Sequence, residues 1–233
     1  MASDFLFAPP PVVSVPVVGR SARFPVHRIY CVGRNYEEHA KEMGFTGREP
    51  PFFFMKPADA ALVVDDGAVG TMAYPSLTSN LHHEIELVVA IGTGGKNIAA
   101  KDAHSHIFGY AVGLDMTRRD LQNEMKKQGR PWSIGKGFDQ SAPIGPIVPA
   151  AQAGDIEAAE ISLTVGGKDR QRSTVAKLIW NIAETIEHLS AAWELQPGDL
   201  IYTGTPEGVA AVVAGDTLIG QVAGLPTLTV KVV

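Results

Sequence analysis

Cysteine is almost missing from this sequence. Cys31 stands alone among 233 residues, so no internal disulfide can staple the chain. It lies in the apolar run Ile29-Tyr30-Cys31-Val32, which predicts a buried thiol rather than a nucleophile. Such usage fits a reducing, cytoplasmic setting, the localisation expected here. Long hydrophobic runs are missing too: none approaches the roughly 20 residues that cross a bilayer. The first basic residue is Arg20, well after the prolines at 9–11, so no secretion signal is expected and no membrane partner. A surplus of positive charge is absent as well. The net charge of −5 provides no overall footprint for nucleic acid.

Glycine (24) and proline (16) are plentiful, which favours many turns and short strands over a helical bundle. With hydrophobic residues at 45%, the chain is long enough to bury a core without metal or disulfide staples. Residues 1–27 read as an N-terminal arm, with Val12–Val15 as an edge strand limited by Pro16. Strands are expected at Arg28–Val32, Phe52–Met55 (buried), Leu81–Ile91, Ile161–Val165, Leu200–Thr203 and Thr227–Val233. Gly166-Gly167 reads as a hairpin turn. A first helix is expected from Asn35, as N-cap, to Gly44, as C-cap. A second spans Thr117–Gln128 with Thr117 as cap. The third and strongest spans Ser173–Trp193, where Val175, Leu178, Ile182, Ile186 and Leu189 follow helical spacing. The pattern predicts an α+β chain of mixed strands with few helices.

The informative segment is Leu81-His82-His83-Glu84-Ile85-Glu86-Leu87-Val88-Val89-Ala90-Ile91. On a strand, His82, Glu84, Glu86, Val88 and Ala90 share one face. That face is either wet, as in many antiparallel sheets, or partly apolar, since Val88 and Ala90 continue it. Two glutamates on a partly apolar face repel each other, and a divalent cation removes the conflict. Oxygen ligands favour Mg2+ or Mn2+ over Zn2+. Asp115, at the end of the apolar run Tyr110–Leu114, is a candidate third carboxylate, and equally a turn or capping residue. His39 and Glu42 lie three apart and share a helix face. They are either exposed surface or a water-activating dyad. From Thr117 to Lys136 six cations (Arg118, Arg119, Lys126, Lys127, Arg130, Lys136) outnumber Asp120 and Glu124. This stretch is a solvated helix face or a local attractor for a small anion.

A series of segments runs in order along the chain: Cys31-Val32-Gly33-Arg34-Asn35-Tyr36 with His39 and Glu42, Phe54-Met55-Lys56-Pro57, the 81–87 segment, and Gly109 through Gln122. Lys126 through Trp132, Gly135-Lys136-Gly137-Phe138-Asp139 and Pro197 through Pro206 complete it. Taken in this order, the segments resemble the fumarylacetoacetate hydrolase family, above all its short acylpyruvate-hydrolase branch. The arm and Arg23-Phe24-Pro25-Val26 further resemble the members of gentisate (aromatic) breakdown that act on fumarylpyruvate.

The resemblance implies a mostly antiparallel, rolled β-structure with peripheral helices, residues 28–233 forming a single catalytic domain, and a homodimer. It implies Glu84, Glu86 and Asp115 as ligands of Mg2+ or Mn2+, with Ca2+ as an alternative. His39 and Glu42 correspond to the water-activating dyad, and Lys136 and Gln122 to catalytic positions. Arg34, Arg119, Gln122 and Thr205 correspond to substrate-facing positions. Arg118 is either a receptor for a distal carboxylate or a surface residue. Gly135 and Gly137 flank Lys136 where bulkier residues are usual, which bears on pocket width. The implied reaction is hydrolysis of a carbon–carbon bond in a 2,4-dioxo acid, with fumarylpyruvate first. The alternatives are acetylpyruvate hydrolysis, oxaloacetate decarboxylation or 2-oxo acid isomerisation on the same site, and binding of a 2-oxo acid without turnover.

Overall fold

The computed structural model describes residues 5–42 and 48–233, the side chains of 40–42 excepted. Its centre is a sheet ordered Phe52–Lys56, Ile29–Gly33, Leu200–Tyr202, Ile85–Ile91, Ile107–Leu114, Ala142–Ile144 and Ala61–Val63, with Val148–Pro149 also paired to Ile107–Leu114. All seven residues of Ile85–Ile91 are buried, because the sheet is covered on both faces. Period-two alternation sends Ile85, Leu87, Val89 and Ile91 into one core and Val88 and Ala90 into another. The wet-face reading of this strand is therefore overturned.

A second sheet is ordered Lys168–Thr174, Glu160–Val165, Thr217–Val222, Leu228–Val232 and Val69–Met72. It contributes Ile161, Leu163, Leu218 and Val230 to the first core. The second core is covered by the N-terminal segment, through Val15, Val17, Phe24 and Val26. Burying each such side chain stabilises the fold by about 1.5–3 kcal/mol. Three pairings are parallel: Ile29–Gly33 with Leu200–Tyr202, Ala61–Val63 with Ala142–Ile144, and Val69–Met72 with Leu228–Val232. The other pairings between these strands are antiparallel. The architecture is the expected curled, mostly antiparallel β-structure of α+β class with peripheral helices. No helix among the described residues is long and apolar enough to cross a membrane.

Several local expectations need correction. The 81–91 segment is two strands, Leu81–His82 and Ile85–Ile91, broken at His83-Glu84. Phe52–Lys56 is only half-buried, and Met55 is exposed, because one of its faces borders a groove. Thr117 caps no helix. Thr117–Arg118 is a short strand paired with Leu81–His82, and the helix is Arg119–Lys127. The expected 173–193 helix is confined to Ile182–Ala192. Asn181 and Glu184 form a reciprocal capping box that starts it there, while Ser173 and Thr174 still belong to the hairpin strand. Val175 and Leu178 mimic its spacing from a 3-10 turn and its flank.

Asn35 is not an N-cap either. Its amide donates to the Thr203 and Trp180 carbonyls at 2.8 and 3.0 Å and accepts from the Trp180 N–H at 2.8 Å. It thus ties the start of the first helix, Glu37–Glu42, to segments far along the chain. The expected C-cap, Gly44, lies outside the described residues.

Candidate active site

Three carboxylates meet where the Ile85–Ile91 and Ile107–Leu114 strands end together. The pair is antiparallel, with Ile85 opposite Leu114, and the Asp115 N–H donates to the Glu84 carbonyl at 2.8 Å. Glu84, Glu86 and Asp115 therefore hang from adjacent strand ends, each offering an oxygen within 4.8 Å of the others. All three are buried, at 5%, 1% and 1% exposure. The third carboxylate that spacing alone could not place is in the cluster.

Charge compensation is built around them. The Lys136 ammonium donates to Glu84 Oε2 at 2.8 Å, Asp115 Oδ2 at 2.6 Å and Thr117 Oγ1 at 2.7 Å, which engages all three of its protons. Arg119 donates to Glu84 Oε1 and, at 2.5 Å, to Gln122 Oε1. Lys56 Nζ lies 2.8 Å from Asp115 Oδ1 as a charge contact, and that oxygen accepts no hydrogen bond. Lys56 itself donates to the main-chain oxygens of Met116 and Lys136. Glu86 accepts from the Gly204 N–H at 2.8 Å. That approach needs glycine: φ is 103° there, and a Cβ would stand 2.7 Å from the Asn35 Cβ.

These surroundings split the carboxylates. Burial pushes Glu84 up, but the charges of Lys136, Arg119 and His39 outweigh it and hold Glu84 well below the usual range. Burial pushes Glu86 well above that range, reinforced by Asp115 and Glu84 against the Gly204 N–H. Burial alone would lower Lys136. The charges of Asp115 and Glu84 reverse this and raise it. His82, partly buried and beside Arg119, is pushed down to about 4.

The cluster forms the floor of a cavity whose lining includes Arg34, His39, Phe52, Phe54, Gln122, Trp132, Lys136 and Thr205. The carbonyl of Gln122 is occupied by Arg119, so its amide N–H groups remain for the cavity. A wider groove shares Arg34, Phe52, Phe54 and Trp132 with the cavity and adds Met55 and Arg130.

Of the residues expected from sequence, His39, Arg34, Arg119, Gln122, Lys136, Thr205 and the three carboxylates converge on the cavity. Arg118 does not. Its guanidinium lies 4.4 Å from the Phe138 ring centroid and donates to the Ile134 carbonyl, away from the lining. Glu42 ends the Glu37–Glu42 helix, but its side chain lies outside the described residues. Gly135 serves packing rather than pocket width: a Cβ there would stand 2.9 Å from the Gln122 main-chain nitrogen.

Two contributors carry no local signal. Lys56 ends an apolar strand, where a lysine more often reaches for solvent than stays buried. Gln171 sits in the polar run Asp169-Arg170-Gln171-Arg172, where nothing local sets it apart.

Residues 28–233 match the family model for the fumarylacetoacetate (FAA) hydrolase C-terminal region. A fumarylpyruvate hydrolase of a Ralstonia species is 50% identical over 184 residues, covering 79% of this chain and 93% of that protein. An oxaloacetate tautomerase of Escherichia coli is 40% identical over 196 residues, 84% of this chain and 88% of that one. The crystal structure of fumarylpyruvate hydrolase from Pseudomonas aeruginosa in complex with Mn2+ and pyruvate superposes with a TM-score of 0.97 at 58% identity, covering 99% of both chains. The buried carboxylate cluster, the cavity above it and these matches lead to one conclusion: this chain belongs to the fumarylacetoacetate hydrolase family.

Proposed function

We propose that this protein is a divalent-metal-dependent hydrolase that cleaves fumarylpyruvate, a 2,4-dioxo acid, into fumarate and pyruvate. The observation that carries the reading is the convergence of Glu84, Glu86 and Asp115 with His39 on one small cavity. The likeness to two fumarylpyruvate hydrolases supports it.

The residues present fit a metal ion. Asp115 Oδ1 is a buried acceptor without a hydrogen bond, and Glu86 is driven toward protonation by burial first and then by its acidic neighbours, whose charge a cation would offset. An all-oxygen donor set suits Mg2+ or Mn2+. Glu84, Glu86 and Asp115 would hold it, and when bound it supplies Lewis acidity toward the oxygens of the pyruvyl end. The charge balance also fits. Three carboxylates face Lys56, Lys136 and Arg119, with Arg34 also in the lining, so a divalent cation leaves the site net positive, which suits an anionic substrate.

In the proposed reaction the Thr205 hydroxyl holds the substrate's pyruvyl carboxylate. His39 removes a proton from water and directs the resulting hydroxide at carbon 4. Glu42 orients His39, a role supported by their three-residue spacing on one helix. The Gln122 amide donates to the oxyanion that forms on carbon 4, and Lys136 adds positive charge beside it. Collapse of that centre breaks the bond between carbons 3 and 4, releases fumarate, and leaves the electron pair on pyruvate as its enolate, which takes a proton at carbon 3. The exposed Phe5, Leu6 and Phe7 support a proposed homodimer, to be checked by sedimentation.

The test mixes metal-stripped protein with fumarylpyruvate, acetylpyruvate and oxaloacetate, with and without Mn2+, and follows enol absorbance and pyruvate release. Metal-dependent release from fumarylpyruvate is expected. The second reading is enol–keto conversion of oxaloacetate, favoured by likeness to the Escherichia coli tautomerase. It needs no water attack, and it moves forward if neither dioxo acid is cleaved.

A further inference from the structure

Gln171 is 2% exposed, and its side-chain amide is fully engaged. Its Oε1 accepts from the Ile85 N–H at 3.1 Å and from His83 Nδ1 at 2.9 Å. Its Nε2 donates to the Pro206 carbonyl at 2.7 Å and to Thr205 Oγ1 at 2.8 Å. A main-chain donor on one side and a main-chain acceptor on the other leave only one orientation for this amide. Reversed, it would set N–H against N–H and oxygen against oxygen. Thr205 therefore receives a hydrogen bond on its oxygen. Its own proton goes to no described residue, and Thr205 lines the cavity. The hydroxyl is left with one use, donation into the cavity.

We propose that Gln171 is a positioning residue that makes Thr205 a committed donor, so that this end of the cavity takes a full acceptor, the ionised carboxylate of a 2-oxo acid. The proposal rests on the reading of Thr205 as the group that holds that carboxylate. It also ties recognition to the metal ligands, because the same amide pins the Ile85 N–H between Glu84 and Glu86.

The test is calorimetric binding of pyruvate to the Mn2+-loaded protein. Thr205→Ser should bind like the wild type. Thr205→Val should bind roughly 10- to 100-fold more weakly, the range for a lost hydrogen bond to a charged group. Gln171→Glu presents an acceptor to Thr205 and draws its proton away from the cavity, so it should weaken binding about 10-fold. If Gln171 acts through that hydroxyl, Gln171→Glu adds nothing in the Thr205→Val background. Equal binding by the Ser and Val variants, or equal weakening by Gln171→Glu in both backgrounds, overturns the proposal. Should Gln171→Glu fail to fold, Gln171→Met, which removes the donor to Thr205 without adding a charge, takes its place in both backgrounds. Wild type that binds pyruvate yet cleaves no fumarylpyruvate sinks the hydrolase reading and leaves this one standing. Wild type that cleaves fumarylpyruvate yet binds no pyruvate overturns this proposal and leaves the hydrolase reading standing.

Discussion

Lys56 and Asp115 form a fully buried ion pair, Nζ to Oδ1 at 2.8 Å, with both side chains at most 1% exposed. Lys56→Met removes one of the two ammonium groups beside Asp115, which keeps Lys136 at 2.6 Å, so the unfolding free energy of the metal-free protein should fall by less than the roughly 3–5 kcal/mol of a buried charge left wholly unpaired. Added Mn2+ should recover part of the loss by replacing the missing positive charge. Denaturant titrations with and without metal check both statements.

Glu86 sets a pH dependence whose sign follows from its raised folded value. The folded state keeps a proton that the unfolded chain gives up near about pH 4.3, so this contribution to metal-free stability is complete below that point. It is lost as pH rises through the folded value. Glu84, held low, acts oppositely, and its contribution fades only as pH falls. Melting temperatures of metal-free wild type should thus decline with rising pH more steeply than those of Glu86→Gln. Saturating Mn2+ should reverse the trend, because metal binding needs the deprotonated ligands.

Base and metal roles should separate. His39→Ala should retain bound Mn2+ and lose about 10²- to 10⁴-fold in kcat. Glu84→Gln or Asp115→Asn should lose metal and turnover together. Metal analysis alongside pyruvate release distinguishes the two classes, and full activity in His39→Ala would end its assignment as the base.

Arg118 lies off the cavity while Arg34 lines it. Arg118→Ala should leave kcat/KM for fumarylpyruvate within about twofold, as expected for a substitution that removes no contact with the ligand. Arg34→Ala should raise KM. The reverse outcome would return Arg118 to the substrate.

What could be seen in the sequence was whatever depends on period and order. Alternation put Glu84 and Glu86 on one side of a strand, and the order of short segments carried the family and with it Asp115, Lys136 and Thr205. Contacts between distant segments were hidden. Asn35 has the local look of a helix cap, yet its partners stand 145 and 168 positions away. Gln171 reads as surface because its neighbours Arg170 and Arg172 are exposed, and only the facing sheet reveals its burial. The long helix expected before Ile182 failed because Val175 and Leu178 bury themselves without being helical.

All three carboxylates proposed to hold the metal lie within or at the ends of one pair of neighbouring strands, whereas His39, Lys136 and Thr205 reach the cavity from three separate segments. On the proposed reading, evolution could alter proton transfer at His39 with every carboxylate retained, whereas a change at Lys136, which donates to Glu84 and Asp115, would reach the metal as well.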